Sequence, residues 1–170
     1  MSILLIVLFI SLSLLNNLNK LIICAALVTV AALVVNLIVE FYGKRKAMYG
    51  LITCTLLCCI LKWQDFSLMI LTSYTAVLVS LFSSIIFFEK LESKFGFHIT
   101  NFITLITVSV IDSTVMYFGL LYKFSVDKCL SICIRDLALK FSYASMLSIC
   151  LFVAAHLFYL AKRKYTKLYA

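Results

Sequence analysis

The chain of 170 residues has no proline, four glycines and two histidines, so several kinds of site lack their raw material. No glycine-rich phosphate loop occurs, and no Ser, His and acid trio stands out. His98 and His156 stand apart from any cysteine cluster, and no His/carboxylate metal pattern is present. Charge is scarce too, at 13% of residues against about a quarter in a soluble domain. What fills the chain instead is apolar: 65% of residues, with a mean hydropathy of +1.15. That excludes disorder, which needs low hydrophobicity. An outer-membrane barrel does not fit either, because its strands alternate polar and apolar in short segments. The expected class is all-α, a polytopic membrane protein with one bundle of six transmembrane helices spanning residues 1–170 as a single domain. Six spans of roughly 20 residues take about 120 and leave about 50 for connections. No soluble domain fits in that remainder, so function must lie in the bundle or on short loops. Nothing in the residues supports an enzyme, a cofactor or a metal site.

The seven cysteines are odd in number and mostly sit inside apolar runs. They read as small packing residues, not as a disulfide framework or zinc ligands. Lys and Arg number 15 against 7 Asp and Glu, a formal charge of +8. In a membrane protein such an excess marks cytoplasmic loops, and nucleic acid is not the expected partner.

Charges and polar turns divide the apolar sequence into six stretches. The first runs from Ser2 to Leu15. No Lys or Arg precedes it and no small-residue cleavage site follows, so it reads as a retained span. Asn16, Asn17, Asn19 and Lys20 form a polar turn. The second stretch runs from Leu21 to Tyr42 and ends in Gly43-Lys44-Arg45-Lys46. The third is Ala47 to Leu61, followed by Lys62-Trp63-Gln64-Asp65. The fourth is Phe66 to Phe88, followed by a polar connection from Glu89 to Gly96. The fifth is Ile99 to Leu121. The sixth, Cys129 to Ala161, is too long for one untilted span. Cys129 to Asp136 reads as an interfacial lead-in and Leu137 to Ala161 as the crossing. Such run lengths indicate helices, which satisfy their own backbone groups in hydrocarbon.

Orientation follows from the cations. Lys44, Arg45, Lys46, Lys90 and Lys94 share one side with the tail's Lys162, Arg163, Lys164 and Lys167. Lys20, Lys62, Lys123 and Lys128 fall on the other. Both termini are therefore expected in the cytoplasm. Trp63, Tyr42 and Tyr159 read as interface aromatics.

Ionisable residues inside spans are costly and tend to face a cavity or a partner. Asp112, past the middle of the fifth stretch, is the clearest candidate for a substrate or proton site. A packing hydrogen bond or an ion pair with Lys140 is the plainer alternative. Asn36 and Glu40 are four apart on one face of the second stretch. Glu40 is either a site residue or an interfacial charge paired with Lys44. Lys140 either pairs with Asp136 one turn away or reaches Asp112 or a ligand carbonyl. Arg135 reads as interfacial, and Ser83, Ser84, Ser142 and Ser145 as helix-packing residues.

The run Asn36-Leu37-Ile38-Val39-Glu40-Phe41-Tyr42-Gly43-Lys44-Arg45-Lys46-Ala47 resembles a pattern of the queuosine precursor transporter family, a vitamin-uptake-transporter-like family of integral membrane proteins. Members carry Asp or Asn late in the second span, often an acid four later, then an aromatic, a Gly and basic residues. Ser109-Val110-Ile111-Asp112-Ser113-Thr114 resembles the family's polar segment around an Asp in the fifth span, and Lys140 matches the start of the last. The chain is shorter than usual, and it lacks the proline often seen in the last span and the Gln often seen late in the fourth. The resemblance implies import of 7-deazaguanines across the bacterial inner membrane for tRNA modification. These are 7-cyano-7-deazaguanine, 7-aminomethyl-7-deazaguanine or queuine. It implies a purine-like small-molecule substrate, proton coupling as an option, and Asn36, Glu40, Asp112 and Lys140 as substrate-binding residues. Asp112 or Glu40 would accept adjacent ring N–H donors, with Phe118, Tyr117 or Tyr143 stacking on the base. The bundle would be similar to the substrate-binding subunits of energy-coupling-factor vitamin transporters. Membership among those subunits is the competing reading, and a non-transporting scaffold is another.

Overall fold

A computed structural model describes residues 1–15, 20–62 and 67–168, with side chains as far as residue 157. The expected turns at Asn16, Asn17 and Asn19 and at Trp63, Gln64 and Asp65 lie outside the described residues. So do the side chains of Tyr159 and of the basic tail. Every described element is helical: α1 (Ser2–Leu15), α2 (Leu21–Tyr42), α3 (Lys44–Leu61), α4 (Leu68–Leu120) and α5 (Val126–Leu168). Among the described residues, three helices are long and apolar enough to cross a membrane: α2, α4 and α5. The shorter α1 is apolar as well.

Helix α2 is the centre of the bundle and packs against each of the other four. Its sequence explains this. Ala25, Val28, Ala31, Ala32 and Val35 bury small side chains along one broad face of the helix. Small side chains let neighbouring backbones approach closely where apolar transfer supplies no drive. Leu8 and Leu12 of α1, Leu51 of α3, and Leu81, Ile85 and Leu105 of α4 complete the buried apolar core.

Two glycines do the work expected of loops. Gly43 alone separates α2 from α3, at φ 82 and ψ 161. Gly96 interrupts α4 at φ 70 and ψ 170. That backbone region is essentially restricted to glycine. No atom lies within 4 Å of where a Cβ would sit on either, so conformation and not space selects glycine. A straight helix of 53 residues would be about 80 Å long. Gly96 instead folds α4 into a hairpin. Its two ends meet, because a Cβ on Gly119 would lie 1.9 Å from Thr72 Cγ2.

The expected polar connection from Glu89 to Gly96 is therefore helix up to its last residue, a correction to the reading above. A helix places Glu89 beside α3, where it pairs with Lys44 at 2.6 Å. The third helix also begins earlier than expected, with Lys44, Arg45 and Lys46 as its first turn. Likewise α5 is one continuous helix from Val126. The expected interfacial lead-in includes Asp136, which is buried, whereas Arg135 next to it is exposed. Beyond Ala144, α5 turns Met146, Ile149, Phe152, Val153 and Leu157 outward.

Candidate functional site

The second arm of α4 and the first half of α5 pack together. Their contact brings three ionisable side chains into the interior. Asp112 is 3% exposed, Asp136 7% and Lys140 2%. Lys140 and Asp136 are one turn apart on α5, so α5 alone supplies one pair. Helix packing supplies the other: Lys140 Nζ donates to Asp112 Oδ2 at 2.6 Å. It also donates to Asp136 Oδ2 and, at 3.2 Å, to Ser113 Oγ. Ser113 Oγ in turn donates to Asp136 Oδ2 at 2.6 Å. The alternatives open in the sequence for Lys140 are thus both realised at once.

Removing isolated charges from water costs several kcal/mol each, so a cluster this deep must be internally paired. It is paired unevenly. Two carboxylates face one ammonium, which leaves one negative charge in excess when all three are ionised. Asp112 Oδ1 is buried and has no hydrogen-bond partner among the described residues.

All three residues line a cavity of about 290 Å³. It is near the lower end of the roughly 300–1,000 Å³ typical of small-molecule pockets. Val28 of α2, Val77 and Met116 of α4, and Ile132 of α5 give it apolar walls. Tyr117 supplies an aromatic ring. Leu15, Leu21, Met69 and Leu120 also line it, so it sits toward the end where α1 finishes and α2 begins. That is the end opposite Gly43 and the Lys44–Glu89 pair. Of the three aromatics considered for stacking, only Tyr117 lines the cavity. Phe118 is 65% exposed, and Tyr143 is half-buried elsewhere on α5.

Asn36 belongs to a different cluster. Its Nδ2 donates to Asn101 Oδ1 at 2.9 Å and to Thr104 Oγ1 at 2.8 Å. Its Oδ1 accepts from Ser84 Oγ at 2.7 Å. Asn36, Ser84 and Thr104 are fully buried, and Asn101 is nearly so. This knot ties α2 to both arms of α4 near the Gly96 corner, and none of its members lines the cavity. Glu40 is exposed and does not line this cavity. Its expected partner Lys44 pairs with Glu89 instead, which corrects that alternative. The structure thus brings Asp112 and Lys140 together and leaves Asn36 and Glu40 apart from them.

Ser113 and Asp136 join the site and were not singled out as binding residues. Asp136 was visible only as a neighbour of Lys140. Ser113 carried no signal beyond its place beside Asp112. Asn101 and Thr104 gave none, since a polar residue early in a span looks the same whether it faces lipid headgroups or a neighbouring helix.

Comparison with protein-family models, with curated proteins and with solved structures gives no match to this chain.

Proposed function

We propose that this chain is a six-span carrier in the bacterial inner membrane that imports a 7-deazaguanine precursor of queuosine. The observation that carries the reading is the unpartnered Asp112 carboxylate oxygen in an apolar-walled cavity of small-molecule size. Intramembrane acids of that kind mark substrate or ion paths. A deazaguanine presents N–H donors and a flat face. Asp112 Oδ1 accepts one donor, and Tyr117 borders the ring. With Oδ2 committed to Lys140, the carboxylate keeps one free oxygen, so the two-donor grip expected from the sequence gives way to a single bond. Lys140 donates to the ligand's ring carbonyl when that bond relaxes. In this reading α4 crosses twice, once in each arm, and α1, α2, α3 and α5 cross once each. The Gly43 and Gly96 corners then face the cytoplasm with their cations, as do both termini, and the cavity faces the periplasm. The family resemblance at Asn36–Ala47 and Ser109–Thr114 supports the substrate class.

The test is rescue. The chain is expressed in bacteria that neither make nor import deazaguanines, each precursor is supplied, and queuosine is measured in tRNA. For queuine the strain carries an enzyme able to use it. Restored modification with any one compound is the expected result. No restoration from a verified, inserted protein would overturn the reading in favour of a partner-dependent subunit or a scaffold.

A further inference from the structure

The charge balance of the cavity says more than its size. We infer that the cavity binds a ligand bearing a protonated amine, whose ammonium group donates to Asp112 Oδ1 and neutralises the cluster's excess negative charge. This deepens the proposed function and rests on it for the ligand's ring, with the amine in place of a ring N–H as the donor to Asp112 Oδ1. Among the three precursors, it selects those with an amine over the neutral 7-cyano compound.

Three observations converge. Asp112 and Asp136 share the single cation Lys140, which bonds one oxygen of each. Asp112 Oδ1 is left without a donor, on a residue only 3% exposed. The same residue lines a cavity with room for an organic body. A buried acceptor is costly to leave unpaired, and a charged donor pairs it best.

Other ways of supplying the missing charge fit less well. A proton on Oδ1 would cancel the excess charge but occupy none of the cavity's volume. A divalent metal ion asks for several oxygen ligands. Among the described residues, no group of three His, Cys, Asp or Glu is placed to hold one, and Lys140 already occupies the space between the carboxylates. A neutral ligand would leave the excess charge buried and uncompensated. An organic ammonium supplies donor, charge and volume together.

The experiment is equilibrium binding to the full chain in lipid nanodiscs, with 7-aminomethyl-7-deazaguanine, 7-cyano-7-deazaguanine and benzylamine as probes. The aminomethyl compound is expected to bind at least about tenfold more tightly than the cyano compound, the scale of one charged hydrogen bond. Asp112→Asn is expected to bring the two affinities together. Should that variant fail to fold, Asp136→Asn serves, since it removes the same excess charge and must also shrink the preference. Equal or tighter binding of the cyano compound would overturn the inference and leave the deazaguanine reading standing. Binding of benzylamine with neither deazaguanine would uphold the ammonium site and overturn the ring assignment. Binding of no probe would overturn both.

Discussion

One half of the bundle buries charges beside a cavity, and the other buries neutral amides and hydroxyls that do not line it. In the Asn36 knot both ends of the central amide are bonded: two N–H bonds leave Nδ2, and one O–H bond arrives at Oδ1. In the Asp112–Asp136–Lys140 cluster the count is uneven, and one carboxylate oxygen is left over. A balanced polar network rigidifies what it joins. The knot holds α2 against the α4 hairpin, and the unmatched cluster is what the proposed ligand site rests on.

The strongest way to break this contrast is Lys140→Met. It strands two buried carboxylates and should cost roughly 3–5 kcal/mol, enough to lower the folded yield sharply. Thermal unfolding in detergent measures it, and adding Asp112→Asn and Asp136→Asn to the same chain should recover much of the loss. Unaltered stability in the single variant would mean that the cluster is not paired as described. Asp112→Asn should cut uptake at least about tenfold while costing little stability, because Asp136 still holds Lys140. Asn36→Ala should do the reverse. Orphaning Ser84 and Asn101 costs about 1–3 kcal/mol of stability, with ligand affinity unchanged in protein that folds. Equal effects of the two variants on affinity would erase the division of labour. Gly43→Ala and Gly96→Ala should each destabilise by about 1–3 kcal/mol through backbone strain alone, read as a lower unfolding temperature. The smallest effect belongs to Glu40→Gln. An exposed side chain outside both clusters should change stability by no more than about 0.5 kcal/mol, and uptake should stay at the unmutated level.

Some of this was open to a reader of the sequence. Apolar runs gave α1, α2 and the outer parts of α4 and α5, because hydropathy over a helix length is a local sum. The Glu89–Gly96 segment misled for a local reason: its charges look like a loop, yet Glu89 and the lysines are good helix formers, and the turn needs one residue. Gly96 was visible as a letter, but its positive φ was not. Asp112 and Lys140 stood out because an ion in hydrocarbon is anomalous wherever it sits.

Composition and run length fixed the class of this protein, a helical chain with helices apolar enough for a membrane, since both depend on residues one after another. Which polar groups share an interior depended on packing. Asp112 and Lys140 are 28 positions apart, and Asn36 and Asn101 are 65 apart. Pairing over such distances is set by the hairpin at Gly96 and by which face α5 turns to α4. Two acids around one lysine, and a cavity beside them, exist only once those helices have met.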